Sequence, residues 1–298
     1  QPNIDLNFNV SCIDFKTNNE TLNALIYAIM NNNPKIVKLF LDDDRFDVNN
    51  SLIIREYMDD NILKIDEYYP LHEAIICNNI EITKFLLQHQ KINVNAIQKI
   101  TILNTFNKFV DKINEITVLE KAISKNNVKI TKILLENRDI DVNKYSITKK
   151  DKKITKQTPL YSAILNENYK IIKLLLEHPK IDVNKKSIVE RTTSFSKIDI
   201  NENLPLKQAI DDENYEIIML LLDNPNIDIN QYFTSNNGNS EIKQTLLNYC
   251  IYNSKIEIVK LLLNHPNIDV NLPSFIKNNI EEKSITPLNM LIEKQNID

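Results

Sequence analysis

Residues Thr158–Asn184 read TPLYSAILNENYKIIKLLLEHPKIDVN. Close relatives of this stretch fill the chain. Tyr69–Asn95 reads YPLHEAIICNNIEITKFLLQHQKINVN, and Thr117–Asn143 reads TVLEKAISKNNVKITKILLENRDIDVN. Asn23–Asn49, Leu204–Asn230 and Thr245–Asn271 have the same shape. Aligned on the alanine slot (Ala28, Ala74, Ala122, Ala163, Ala209, Cys250, Leu291), the copies are spaced by 46, 48, 41, 46, 41 and 41 residues. From that slot to the first isoleucine of the next apolar run (Ile36, Ile82, Ile130, Ile171, Ile217, Ile258) the step is always 8 residues. The unit is therefore fixed in length, and all variation falls between IDVN and the next Thr-Pro-Leu. Fixed-period self-similarity is the signature of a repeat architecture.

Each unit reads as two short helices. Thr158 suits an N-cap, and Pro159 suits the first helical position, where a missing N–H costs nothing. Leu160, Ala163 and Ile164 share one face at i, i+3 and i+4. Asn168 is expected to supply the left-handed geometry that glycine often provides. Ile171, Ile172, Leu174, Leu175 and Leu176 make a second helix that is apolar nearly all round, which implies burial between copies. His178-Pro179 ends it. Helices this short bury too little to stand alone, so stability must come from stacking on neighbours.

Composition narrows the functions available. The 298 residues carry a formal net charge of -4, which gives no overall pull towards nucleic acid or an anionic membrane. The only glycine is Gly238, so no glycine-rich phosphate loop can be built. Cys12, Cys77 and Cys250 are odd in number and fit no disulfide framework, which points to a reducing compartment. No apolar run is long enough to span a bilayer, and QPNIDLN is no signal peptide. Ile4–Asn7 (IDLN) matches the tail of a repeat, and Thr286-Pro287-Leu288 opens a new one. The chain is read as an excerpt of a longer array.

Thr-Pro-Leu, then alanine, then an Ile-Val-Lys-Leu-Leu-Leu-like run, then Asp-Val-Asn resembles the ankyrin repeat, whose signature is T-P-L-H-x-A in a 33-residue unit. The resemblance covers six whole copies and two partial ones. It implies an all-α solenoid of stacked helix-turn-helix units with long, partly β-hairpin finger loops. The expected organisation is one domain, 1–298, with repeats at 23–68, 69–116, 117–157, 158–203, 204–244 and 245–285 and partial copies at 1–22 and 286–298. Departures from the family are clear. Thr-Pro-Leu-His never occurs complete: His72 has Tyr69 in the threonine place, and Thr158 has Tyr161 in the histidine place. The second alanine is isoleucine, as in Ile75, Ile123, Ile164 and Ile210.

The inserts between units differ. Residues 97–114 space Ile97, Ile100, Leu103, Phe106, Phe109, Val110 and Ile113 as an extra helix would. Residues 187–200 look like a β-hairpin. Residues 144–156 are strongly basic and 59–67 mostly acidic. They are read as solvated loops, with a pair of opposite-sign contact patches as the alternative. Shortening the 144–156 finger is expected to leave folding nearly intact.

No chemistry converges. His89, His178 and His265 occupy equivalent positions in separate repeats, too far apart to share a metal, and are expected to cap helix carbonyls. Cys250 should be buried and inert, and Cys77 has no activating histidine. The IDVN aspartates (Asp141, Asp182, Asp228, Asp269) are expected to accept from backbone N–H groups. Tyr27, Tyr161, Tyr215 and Tyr249 are read as packing residues. No catalytic, metal or cofactor site is expected.

What the resemblance implies instead is non-covalent protein binding on the concave side, by the finger loops and the exposed residues of the first helices. By position this gives Ser124, Lys125, Gln157, Leu165, Asn166, Asp211, Asp212, Tyr252 and Asn253. The expected protein is a non-enzymatic, monomeric, cytoplasmic scaffold for protein partners, with no nucleic acid, membrane or metal. The alternatives are a substrate-recruiting arm of a larger enzyme and a structural tether.

Overall fold

The computed structural model describes residues 9–12, 20–44, 46–59, 61–107, 109–192, 198–236, 240–278 and 280–295. The Ile4–Asn7 tail and Gly238 lie outside them. Each repeat contributes a helix pair followed by a strand pair. The first pairs are α1 (Ala24–Met30) with α2 (Pro34–Leu41), α3 (Pro70–Ile76) with α4 (Ile80–Gln88), and α5 (Val118–Ser124) with α6 (Val128–Leu135). Then come α7 (Pro159–Leu165) with α8 (Tyr169–Leu176), α9 (Pro205–Asp211) with α10 (Tyr215–Leu222), and α11 (Leu246–Tyr252) with α12 (Ile256–Leu263). The first helix of a further copy is α13 (Pro287–Gln295).

The local signals work as read, with one exception. Thr117, Thr158 and Thr245 cap their helices by accepting from the N–H groups of Glu120, Tyr161 and Asn248 at 3.1, 3.2 and 3.5 Å. The exception is Asn168, which is not left-handed. The positive φ falls one residue earlier, at Glu167 (φ 52), as it does at Asn32, Asn78, Asn126, Glu213 and Ser254. Asn168 is the N-cap of α8, and its Oδ1 accepts from Ile171 N–H at 3.0 Å. A short side-chain acceptor is worth more at that cap than a permissive backbone.

Leu25, Ile75, Ile123, Ile164, Ile210 and Leu175 are fully buried in one continuous core that runs the length of the stack. Ala74, Ala122, Ala163, Ala209 and Cys250 have no exposed surface, which lets neighbouring helix pairs approach closely. Tyr161 is buried, but Tyr27 and Tyr215 are about half exposed, so the packing role read for all four tyrosines does not extend to these two.

The chain is not all-α. Thirteen helices are joined by fourteen strands among the described residues. β1 (Asn9–Cys12) pairs with β2 (Glu20–Asn23). The next eight form one antiparallel sheet in sequence order: β3 (Leu52–Asp59), β4 (Ile62–Tyr68), β5 (Ile97–Asn104), β6 (Phe109–Thr117), β7 (Ser146–Lys150), β8 (Lys153–Gln157), β9 (Ser187–Thr192) and β10 (Ile198–Asn203). A second sheet follows, made of β11 (Phe233–Asn236), β12 (Ser240–Gln244), β13 (Ser274–Asn278) and β14 (Glu282–Ile285).

The reason is dimensional. Two strands occupy about 9–10 Å across a sheet, which matches the roughly 8–10 Å at which helices pack. A finger on each helix pair therefore lands in hydrogen-bonding reach of the next finger, and hairpins that would be marginal alone become one ladder.

This overturns two readings of the inserts. Residues 97–114 form β5, a turn and β6, not a helix. Ile97, Ile100, Thr101, Ile102, Val110 and Ile113 are β-branched, and the strands that complete their ladder lie in the flanking repeats. Among the described residues, most of the basic stretch lies in β7 and β8 and most of the acidic stretch in β4, rather than in loops. The 187–200 hairpin is present as β9 and β10. The two sheets meet through side chains: Glu202 Oε2 accepts from Thr234 N–H at 2.8 Å, and Asn201 Oδ1 accepts from Asn236 N–H at 2.7 Å.

Candidate partner-binding groove

Because strand side chains alternate, register alone sorts the eight-stranded sheet into two faces. One face carries the row Leu52, Tyr68, Gln98, Ile116, Ser146, Gln157, Ser187 and Asn203 nearest the helices. The next row outward holds Ile54, Asp66, Ile100, Asn114, Thr148, Thr155, Val189 and Asn201. This face overlooks the first helices. Burial, then the carboxylates of Asp66 and of Glu73 in α3, hold the Tyr68 hydroxyl far above its ordinary range. Sheet and first helices thus form two walls of a groove along the stack.

The groove is polar and partly desolvated where β4, α3 and α5 meet. Asp66 is buried; it accepts from Gln98 Nε2 at 2.8 Å and pairs with Lys64 at 3.1 Å. Glu73 is 3% exposed, and burial, then Asp66, pushes its carboxyl up to about 7, with Lys121 opposing. Burial lowers the Lys121 ammonium, with Asp66 and Glu73 opposing. His72 has no exposed surface, and its Nε2 lies 3.1 Å from the Ile116 carbonyl. Burial depresses it to about 4, so the ring is neutral and Nε2–H donates.

Further along, the first helices are laced together across repeats. Tyr161 Oη donates to Gln208 Oε1 at 2.7 Å, and Gln208 Nε2 donates to Asp212 at 3.0 Å. Asp211 accepts from Lys207 and from Tyr249 Oη, both at 2.6 Å. Lys207 also lies 4.6 Å from the Tyr249 ring centre.

The sequence-derived residues divide in two. Gln157 sits in β8 at the foot of the sheet wall, opposite Ser146. The others occupy the far ends of first helices, about 10 Å away for helices of seven residues. Ser124 Oγ donates to the Lys121 carbonyl at 3.0 Å, and Lys125 is the exposed C-cap of α5. Leu165 is 43% exposed, and Asn166 Nδ2 donates to the Ile123 carbonyl at 3.4 Å. Asp211 and Asp212 are tied into the lacing. Tyr252 lies under Lys294 at 5.8 Å, and Asn253 Nδ2 donates to the Tyr249 carbonyl at 2.8 Å. Sequence reasoning missed Asp66, Tyr68, Glu73, Gln98 and Lys121. The missed signal was the period-2 alternation of 62–68, which marks a strand with one polar face.

His89, His178 and His265 cap the carbonyls of Leu86, Leu175 and Leu262 with their backbone N–H groups, each at 3.1 Å, and not with their rings. Each Nδ1 accepts from the backbone N–H two residues on, at 3.2, 3.2 and 3.3 Å. The IDVN aspartates do accept from backbone: Asn143, Asn184, Asn230 and Asn271 donate N–H to Asp141, Asp182, Asp228 and Asp269 at 2.9–3.0 Å. Among the described residues no cluster of three or more metal-ligating side chains forms, and no helix is long and apolar enough to cross a membrane.

A family profile for ankyrin repeats, three copies per match, fits residues 5–98, 96–187 and 184–274. The chain belongs to the ankyrin repeat family. Ankyrin repeats are generally protein–protein interaction modules, typically without catalytic activity. The solved ankyrin repeat protein EF0377 is similar over 81% of this chain and 97% of its own, with 21% identity and a TM-score of 0.50. At that identity the likeness shows the fold alone. The Legionella pneumophila effector AnkC is similar at 14% identity over 66% of this chain and 56% of its own, with a TM-score of 0.40, too low to bear on fold or function. No curated protein sequence matches the chain. The fused finger sheet makes the second wall of the groove continuous.

Proposed function

We propose that this ankyrin array is a non-catalytic scaffold that holds a protein partner in the groove between the finger sheet and the first helices. The observation carrying this reading is the continuity of the sheet wall. Eight strands from four successive repeats present one uninterrupted inner face, with the first helices opposite. A partner laid along the stack would meet Thr148, Thr155 and Gln157 on one wall. On the other it would meet Lys121, Asp212 and the helix-end residues Ser124, Lys125, Leu165, Asn166, Asp211, Tyr252 and Asn253. The whole array acts as one binding body, as a monomer. An odd cysteine count, with Cys250 buried and Cys77 exposed, supports a reducing cytoplasmic setting.

The test is a paired capture experiment with the full chain. Partners recovered by affinity purification and mass spectrometry should be lost with Thr155→Arg on the inner face and retained with Lys170→Glu on α8. Partners that survive Thr155→Arg and depend on the α8 side would remove the groove reading.

A further inference from the structure

The outermost complete row of the inner face carries an unusual charge pattern. Lys112 stands opposite Lys150, Lys150 opposite Lys153, and Lys153 opposite Arg191. Four cations thus lie on four adjacent strands, each about 5 Å from the next, in a line about 14 Å long. Like charges directly opposite one another destabilise a sheet. None of the four makes an ion pair among the described residues. The other face of the same strands is built differently. There Lys149 pairs with Glu115 at 2.7 Å and Lys156 with Glu190 at 2.6 Å. Within β6–β9, Lys149 and Lys156 are thus neutralised on the outer face, whereas Lys112, Lys150, Lys153 and Arg191 are left unneutralised on the inner one.

The line is also bounded. Asp199 follows Arg191, and beyond Lys112 the row continues through Ile102 and Lys64 to Glu56. The next row inward over the same strands is uncharged: Asn114, Thr148, Thr155 and Val189.

We propose that this row is a docking site for a short acidic helix of a protein partner. The helix would lie along the groove with its carboxylates on Lys112, Lys150, Lys153 and Arg191. Three features select that occupant. Carboxylates at i and i+4 on a helix are about 5–6 Å apart, close to the strand spacing, whereas alternate residues of an extended chain are about 6.6–6.8 Å apart. The uncharged inner row suits the less polar flank of such a helix. The short span of the row, four cations with acidic residues at Glu56 and Asp199 beyond its ends, matches a short acidic segment better than a long uniform polyanion such as nucleic acid. The proposal rests on the groove reading above and adds the chemistry of the partner.

The experiment uses the full chain and fluorescence anisotropy. One probe is a labelled alanine-based peptide with glutamates at i, i+4, i+7 and i+11. A second has glutamines in those places, and a third is a single-stranded oligonucleotide of matched charge. The glutamate peptide should bind more tightly than the glutamine peptide, and more weakly as salt is raised. Lys150→Glu/Lys153→Glu should weaken it by about tenfold or more, while the matched change Lys170→Glu/Lys173→Glu on α8 should leave it unchanged. Folding of the test variant is checked by thermal melting. Lys150→Glu alone should raise the midpoint, because it replaces two repulsions with attractions.

Equal binding of the two peptides would overturn the proposal, as would equal losses in the two double variants or tighter binding of the oligonucleotide. If the glutamate peptide fails while partner capture still depends on Thr155, the acidic-helix proposal falls and the groove reading stands. If capture no longer depends on the inner face, both fall.

Discussion

Asn143 hydrogen-bonds across the repeat boundary to Asp182: its Oδ1 accepts from Asp182 N–H at 2.9 Å, while its Nδ2 donates to the Lys180 carbonyl at 2.7 Å. The same two-pronged bond recurs from Asn49 to Asn93 and Lys91, from Asn95 to Asp141 and Asp139, from Asn184 to Asp228 and Asn226, and from Asn230 to Asp269 and Asn267. The aspartate of IDVN fixes its own loop, and the asparagine clamps the next one.

Asn143→Ala should therefore cost about 1–2 kcal/mol, the worth of two partly exposed hydrogen bonds. Asn271 ends the series; its backbone N–H bonds Asp269 in its own loop. Asn271→Ala should cost less than about 0.5 kcal/mol. Urea denaturation of the two variants side by side measures the difference. Equal costs would mean that the asparagine acts within its own loop.

Leu175 in α8 has no exposed surface and belongs to the continuous core. Leu175→Ala should cost about 2–5 kcal/mol, the lost transfer energy plus the cavity left behind. The neighbouring Leu174, half-buried on the same helix, should cost clearly less. Chemical denaturation of both decides whether the buried stripe of α8 is assigned correctly.

The helix pair was legible from sequence because its determinants are local. A cap, a proline, an alanine and an isoleucine at a constant spacing act within one unit and recur in each. The sheet was not legible in the same way. β5 completes its ladder with β4, some thirty residues earlier, and β6 with β7, about as far ahead. Its side chains alone (Ile97, Ile100, Leu103) mimic a helical period. The cationic row was hidden for the same reason. Lys112, Lys150, Lys153 and Arg191 come from three separate inserts, and only pairing register brings them into line. The basic stretch at 144–156 was visible, but its division into outward lysines with glutamate partners and inward lysines without them requires the strands.

β7 and β8 lie inside the sheet, and this changes what removing their finger should do. Closing a shorter loop is entropically cheap. Replacing 147–156 by a two-residue link nevertheless removes four pairs to β6 and four to β9. At about 0.2–1 kcal/mol for each of these cross-strand pairs, the loss should be about 2–8 kcal/mol, and two new sheet edges should raise the tendency to aggregate. Inserting two residues between Asp151 and Lys152, at the finger tip, should cost less than about 0.5 kcal/mol. Circular dichroism melts and light scattering test both. A deletion as mild as the insertion would show that the helices alone carry the stability.

Glu73 gives the array a pH dependence whose sign follows from its burial. Its folded pKa is raised from 4.5 to about 7, so between those values the folded state holds a proton that the unfolded state has released. This group therefore stabilises the fold at low pH, and the contribution is lost as pH rises through about 7. His72, beside it, is depressed to about 4 and acts in the opposite direction over an overlapping window, so the wild-type curve alone is nearly uninformative. Glu73→Gln isolates the carboxyl, because the histidine contribution is common to both proteins. The variant should gain stability over wild type as pH is raised from about 4.5 to 7, reaching about 2–3 kcal/mol at the upper end. Denaturant midpoints measured at intervals across that range read the difference. A constant difference would mean that Glu73 is solvated in solution and that the β4, α3 and α5 corner of the groove is open to water.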